Sequence, residues 1–523
     1  MIDVDINIET NVRSMTKLLS DLKMGLIQIP PFQRQFVWHN DDVKSLLDSI
    51  KKNYPIGSVL LWRPLEKPDW NGDLREIGSF TLPQTTNNQI YVLDGYQRLS
   101  TLFGTLTNPQ KSGLKQNVNT YKDKFEIFYD LENEEFVFRR NRKPEPYQVP
   151  AYILMSTSDF RQYSRKILEP NVLPEKLDLY LDRADSFSRA LIEYKIAVIE
   201  VTNANLEEAV DIFSRINSKG TDISPDWAAS ALSYGKDFNL SIEMDNLILD
   251  LAKYNFDGIS RSNLFRCYQS AFDDIMFIDQ QNIERLAKRN DFSIVVKRAT
   301  PAIKKAVRFL YNELNVVEYK LLPYNNQLVF IMKFFMEKTY PTEKELKELK
   351  EWFWFTSYSS YFTVYSLSGH RKAFQHFVKW LKGEVDKPIY VDQPDIKLTT
   401  VALPEVINLS AVRSKSLVLF ELKMLKELKN DAITEETGLL MGKIIPESPT
   451  SPSNIVSLFK GYKIDDSQDS DFSNWSLPAD LRKAMFIPSV PVHLTSKFLE
   501  ERKKLIMKNE RTFVESLDLI YTV

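Results

Sequence analysis

Ile90-Tyr91-Val92-Leu93-Asp94-Gly95-Tyr96-Gln97-Arg98-Leu99-Ser100-Thr101-Leu102 is the stretch from which the rest of the chain is best read. Ile90 to Leu93 is an apolar run suited to a buried strand, and Asp94-Gly95 is turn chemistry. Leu99, Leu102, Phe103 and Leu106 then recur at helical spacing. The reading is strand, tight turn, helix, with Gln97 and Arg98 in the first helical turn. Free backbone N–H groups and the positive end of the helix dipole favour an anion there. A guanidinium adds a two-pronged grip on phosphate oxygens. Asp94 would repel a bare phosphate, so its expected task is to hold Mg²⁺, orient a water or fix Arg98. The same residues also suit an ordinary capped helix with a surface ion pair.

Working outward, His39 to Asn53 predicts a helix with Asn40 or Asp41 as N-cap and Val43, Leu46, Leu47 and Ile50 as its apolar face. Pro55-Ile56-Gly57-Ser58 reads as a turn and Val59 to Trp62 as a buried strand. Phe125–Tyr129 and Phe136–Phe138 flank the polar Glu132–Glu135, the pattern of a hairpin. Tyr194 to Val201 predicts another strand. Leu206, Ala209, Val210 and Phe213 mark a helix by their spacing, and Ser224-Pro225-Asp226 opens a further one. Farther on, helical signals dominate: 282–298, 301–314, 326–338, 343–355, 417–428 and 496–506. Lys387 to Pro404 is irregular and suggests a second boundary. The expected organisation is an α/β domain over 1–235, a helical domain over 236–390 and a mainly helical region over 391–523.

Composition narrows the function classes. The chain has 523 residues, 43% of them hydrophobic, enough for sizeable cores and too many for a disordered chain. Lys+Arg total 68 against 70 Asp+Glu, so no overall basic coat for nucleic acid exists. The single cysteine, Cys267, excludes an intramolecular disulfide and a Cys-cluster metal site. The four histidines (His39, His370, His376 and His493) are too dispersed to suggest a metal site. No basic-then-apolar leader opens the chain and no stretch approaches the roughly 20 apolar residues of a membrane span. A cytoplasmic protein with no membrane partner is expected. Glycine is rationed to 15 residues, which draws attention to Gly57, Gly95 and Gly220 as special backbone positions.

Two further segments belong with the first: Ile29-Pro30-Pro31-Phe32-Gln33-Arg34-Gln35-Phe36-Val37-Trp38 and Phe213-Ser214-Arg215-Ile216-Asn217-Ser218-Lys219-Gly220-Thr221. Alone, the latter also suits a helix C-terminus closed by a left-handed Gly220. The phosphate loop Gly-x4-Gly-Lys-Ser/Thr does not occur, which argues against a Walker-type ATPase. In this order and spacing the three segments resemble the GmrSD-type restriction-enzyme N-terminal family. Gln33, Arg34, Phe36 and Trp38 match its first element. Asp94, Gly95, Gln97, Arg98, Leu99, Thr101 and Leu102 match its second; Phe213, Arg215, Ile216, Asn217 and Gly220 match its third.

The resemblance implies a ParB/sulfiredoxin-like α/β fold that binds, and in several members hydrolyses, nucleoside triphosphates with Mg²⁺ in defence against foreign DNA. It assigns phosphate contacts to Arg34 and Arg98, and metal or water positioning to Asp94 and Gln97. Asn217 with Lys219 would close the pocket, and Gln33, Trp38, Gly95 and Thr101 would complete the nucleotide-binding set. Asp94, Gln97 and Arg98 are the expected catalytic residues. Nucleotide state would control engagement of DNA or of a protein effector. Tyr96 stands where the family carries the first glutamine of a pair, which puts base preference or turnover in question. The alternative is a non-catalytic DNA- or protein-binding subunit with a decayed nucleotide pocket.

Many members of that family carry a C-terminal His-Asn-His nuclease. Here Gly442-Lys443-Ile444-Ile445-Pro446 stands where its histidines are expected, although Pro452-Ser453-Asn454-Ile455-Val456 and the 498–506 segment resemble its surroundings. Without a histidine to activate water, the region is expected to be a structural remnant. Arg139, Arg140, Arg142 and Lys143 form a basic run able to touch DNA phosphates, or simply a solvated loop. Trp352-Phe353-Trp354-Phe355 with Tyr358 and Tyr361 could stack bases, but in a helical region they are expected in the core. Lys344, Lys347 and Lys350, interleaved with glutamates, read as an exposed face.

Overall fold

The computed structural model describes residues 6–523 apart from 34, 67, 69–75, 84–88, 139–142, 218–224, 235–237, 273–282, 393–396, 430–433, 447, 461–482 and 489–495. Side chains at 213–217, 225, 283–284 and 428–429 are likewise outside the description. The chain divides into two compact units, Met1–Ile242 and Glu243–Val523.

In chain order the strands of the first unit are β1 (Asn7–Ser14), β2 (Ile27–Gln28), β3 (Val59–Pro64), β4 (Glu76–Ile77), β5 (Phe80–Thr81), β6 (Ile90–Asp94), β7 (Ile127–Asp130), β8 (Glu135–Phe138), β9 (Gln148–Pro150) and β10 (Lys195–Ala204). Five build one mixed sheet in the order β1-β10-β3-β6-β2. β1 runs antiparallel to β10, β10 parallel to β3, β3 antiparallel to β6 and β6 parallel to β2. The expected hairpin is present as β7–β8, and β9 joins it on the other side of β7.

Both faces of this sheet are covered at β3 and β6, which is why those strands read as continuous apolar runs instead of alternating. Val59, Leu61, Ile90 and Val92 point to one side. There they meet α1 (Met15–Lys23), α2 (Asn40–Lys51) and α3 (Tyr96–Leu106) through Leu18, Leu47 and Leu99. Leu60, Trp62, Tyr91 and Leu93 point to the other side, against Ala209 and Val210 of the 206–217 helix and Trp227 of the 225–232 helix. α2 begins one residue earlier than its expected caps allow. The Asp42 carboxylate accepts the His39 backbone N–H at 2.9 Å, which makes His39 the cap.

The second unit is mainly helical, as expected. Its longest helix, Phe292–Leu314, runs straight through Pro301, where the sequence predicts a break between two helices. Pro301 removes one backbone donor and costs roughly 3 kcal/mol in a helix interior. Buried Val296, Ala299, Ile303 and Val307 line the same helix and outweigh that cost by packing. Trp352, Phe353, Trp354, Phe355, Tyr358 and Tyr361 are all buried, with Trp352 stacked on Phe330 at 5.1 Å. Lys344, Lys347 and Lys350 pair instead with Glu348, Glu351 and Glu313 at the surface.

Across the boundary expected near residue 391, Tyr358 donates to Glu510 (2.9 Å) and Ser416 to the Ser357 carbonyl (3.2 Å). The 343–358 helix and the 412–429 and 496–516 helices therefore share an interior. One feature was not anticipated: an antiparallel pair, β11 (Leu439–Lys443) with β12 (Ile455–Phe459). Among the described residues no helix is long and apolar enough to cross a membrane.

Candidate functional site at the end of strand β6

β6 delivers Asp94 to the edge of the sheet, where the chain turns through Gly95 into α3. Gly95 sits at φ +91°, the left-handed region, and a Cβ there would lie 3.1 Å from the Val59 side chain. That backbone reversal lets α3 start immediately, with no side chain capping its first turn. Arg98 folds back across the turn. One guanidinium nitrogen, Nη2, donates to Asp94 Oδ2 at 3.0 Å, and the other, Nη1, donates to the Ile56 carbonyl at 3.0 Å. Gly57 makes the approach possible: at φ +84° it has no side chain, and a Cβ would sit 2.5 Å from Arg98 Nη1. Asp94 and Arg98 keep 37% and 19% of their side-chain surface exposed.

The neighbouring glutamines do different work. Gln97 is buried, and both ends of its amide hold the 35–37 backbone. Its Oε1 accepts from Val37 N–H (3.0 Å) and its Nε2 donates to the Gln35 carbonyl (3.0 Å). Gln33, also buried, donates to the Val92 and Leu93 carbonyls at 2.8 and 2.9 Å. Its Oε1 faces the Trp227 indole N–H at 3.4 Å. Phe32 meets the same indole edge-on, with ring centroids 5.7 Å apart. The loop before α2 is thus stapled to the end of β6 and to the first turn of α3 by two neutral amides.

Two of the three segments singled out in the sequence meet here, while most of the third lies outside the described residues. The first is clamped by Gln33 and Gln97, and the second supplies Asp94, Gly95 and Arg98. The third ends the 206–217 helix, which packs across β3 and β10. Trp38 is half-buried against the core, and Thr101 is fully buried on the inner side of α3, away from solvent. Arg34, Lys219, Arg139, Arg140 and Arg142 lie outside the described residues, as does the side chain of Asn217; Lys143 is exposed. Tyr96 is buried, and its hydroxyl donates to the Glu76 carbonyl at 2.8 Å. It therefore faces the β4–β5 hairpin instead of the Asp94–Arg98 surface. What sequence reasoning missed is the Ile56 carbonyl as a partner of Arg98; the scarce Gly57 was the available signal.

The strand, the left-handed glycine, the arginine and the clamped loop all lie in a part of the chain that matches a known family. Residues 15–226 match the GmrSD restriction endonuclease N-terminal domain. The GmrSD-type domain so defined begins with α1 and closes at Asp226, so the whole constellation lies inside it. An uncharacterized protein of Methanocaldococcus jannaschii is 22% identical over 427 residues, covering 74% of this chain and 71% of that protein. That alignment is longer than the domain match, so the likeness extends beyond the GmrSD-type domain.

In the second unit, Asn454 is buried and its amide bonds the backbone of Ile445 and Pro449. Its Oδ1 accepts from Ile445 N–H (2.8 Å) and its Nδ2 donates to the Ile445 and Pro449 carbonyls. Arg502 is fully buried, donating to the Pro452, Ile455 and Met485 carbonyls and to Glu421 (3.3 Å). Among the described residues no group of three His, Cys, Asp or Glu side chains is placed to hold a metal ion.

Proposed function

We propose that the protein is a restriction-type defence protein that binds and hydrolyses nucleoside triphosphates. Its nucleotide state then controls engagement of DNA or of a protein partner carrying the effector activity. The observation that carries this reading is the partly exposed Arg98 at the first turn of α3, fixed by Asp94 and the Ile56 carbonyl. A guanidinium already oriented at the positive end of a helix dipole binds phosphate oxygens with little ordering cost. The GmrSD match supports the defence role and DNA as the target.

In this reading Arg98, with Arg34 from the clamped loop, holds the phosphates. Gln97 acts through the 35–37 backbone it fixes, and Asn217 with Lys219 closes the site. Asp94 fits a divalent cation: one carboxylate oxygen is turned to Arg98, and the other accepts no hydrogen bond among the described residues. Magnesium bound there would neutralise phosphate charge. Lys143, with the arginines before it, is proposed to contact DNA phosphates.

Phosphate release from ATP, GTP, CTP and UTP with Mg²⁺, with and without DNA, tests the proposal beside an equilibrium nucleotide-binding assay. Turnover lost in Arg98→Ala supports it. A second reading is favoured by one observation, that both guanidinium ends of Arg98 already have partners within the chain. In that case the domain is a non-catalytic DNA- or protein-binding module, and neither binding nor turnover will be found.

A further inference from the structure

β1 ends the five-stranded sheet, so among the described residues no strand lies beside one side of Asn7–Ser14. Its pairing with β10 holds register from Asn7↔Thr202 to Ser14↔Lys195 without a bulge. The ladder continues one step, Met15 N–H donating to the Tyr194 carbonyl at 2.9 Å. In an antiparallel ladder, residues that bond one neighbour alternate with residues whose N–H and C=O point the other way. Met15 bonds toward β10, so Asn7, Glu9, Asn11 and Arg13 do too. Ile8, Thr10, Val12 and Ser14 therefore aim their backbone groups at the open edge.

Edge strands are ordinarily short, bulged, or guarded by lysine or proline. This one runs for 8 residues with no bulge, lysine or proline, and its charges are one of each sign, Glu9 and Arg13. Apolar side chains at its even positions are also uncovered: Ile8 and Val12 are 50% and 67% exposed, and Ile6 just before the strand is 41% exposed. Charge says what would fit. Glu9 lies directly opposite Glu200, a like-charge placement that disfavours the pair. Glu200 is neutralised by Arg13 and by Arg63 (2.9 Å), whereas Glu9 accepts only from Asn7 Nδ2 (2.9 Å) among the described residues.

We propose that β1 is a dimerisation strand, pairing antiparallel with β1 of a second copy about a two-fold axis through Asn11. The outward backbone groups of Thr10 and Val12 then bond those of the partner's Val12 and the partner's Thr10. Ile8 and Ser14 pair likewise, and the two sheets become one. In this register Glu9 faces the partner's Arg13 and Arg13 faces the partner's Glu9. The strand is its own electrostatic complement when reversed, which selects a second copy over an unrelated strand. The two Asp94–Arg98 sites, three strands in from the seam on each side, would stand roughly 30–35 Å apart at about 4.8 Å per strand. Interface variants should leave them untouched.

Sedimentation velocity of the full chain over a concentration series tests this, with melting temperature as the control for folding. The expected result is a dimer that Thr10→Pro and Glu9→Arg convert to a monomer that melts no lower than the unaltered chain diluted until it too is monomeric. Proline at an outward-facing edge position removes no bond to β10. Asn11→Cys should cross-link two copies under mild oxidation. Residue 11 meets itself at a non-hydrogen-bonded position, Cα atoms about 4.5 Å apart, within disulfide reach. The native Cys267 is buried and does not compete. A chain that stays monomeric at every concentration overturns the proposal, as does a dimer indifferent to both Thr10→Pro and Glu9→Arg. A dimer in which Asn11→Cys does not cross-link overturns the register. Should Thr10→Pro impair folding, Glu9→Arg and Asn11→Cys decide alone.

Discussion

Arg98 depends on the residue it passes. Gly57→Ala places a methyl group where Nη1 now lies and forces a left-handed backbone that costs about 1–2 kcal/mol for a residue with Cβ. The expected outcome is nucleotide binding as weak as in Arg98→Ala, accompanied by a lower melting temperature. Equilibrium binding and thermal melts on the two variants check it. Tyr96→Phe should behave in the opposite way. Its hydroxyl donates to the Glu76 carbonyl, and loss of that bond should lower stability by about 0.5–1.5 kcal/mol. Phosphate release and base preference should stay as in the unaltered chain. A changed preference would mean that the ring reaches the nucleotide after all.

At the scale of elements, the buried Glu421–Arg502 pair joins the 412–429 and 496–516 helices. Burial pushes the Glu421 carboxyl up from 4.5 to about 7, against the opposing pull of Arg502. The native state then holds a proton that an unfolded glutamate has released. This contribution to stability is therefore largest below the unfolded value, falls as pH rises through the window from 4.5 to about 7, and is lost above it. Glu421→Gln should flatten that slope in denaturant titrations across the same pH range. The adjoining aromatic helix offers a plainer test: Trp352→Ala should cost about 3–5 kcal/mol, because the ring is buried against Phe330 and Phe377. Elements of this kind were legible wherever periodicity and caps agreed, as in β6–α3, the β7–β8 hairpin and the aromatic core. Pro301 misled because its local cost is visible in sequence while the packing that overrides it is not. β11 and β12 escaped notice because short strands in a helical setting carry little pattern of their own. In the site, the turn and the arginine were readable from spacing. The inward role of Gln33 and Gln97 was not, since a buried amide and a ligand-binding amide look alike in sequence.

For the whole molecule, the proposed control of DNA or effector engagement by nucleotide is a linkage claim. If a nucleoside triphosphate changes DNA affinity by some factor, DNA must change nucleotide affinity by the same factor. Titrating DNA with and without nucleotide, and nucleotide with and without DNA, should return equal ratios, and Arg98→Ala should bring both toward one. Unequal ratios would point to an unrecognised third equilibrium, and ratios of one in the unaltered chain would remove the coupling. Salt offers a way to take this apart. The amides of Gln33 and Gln97 carry no net charge, so the loop they fasten should hold its place at any ionic strength. The Asp94–Arg98 pair and any phosphate contact beside it are partly exposed charges and weaken as the Debye length shrinks from about 10 Å at 0.1 M to about 3 Å at 1 M. Raising ionic strength should thus loosen the grip of the site while leaving its frame standing, so the salt slope of nucleotide affinity would report the charged layer alone.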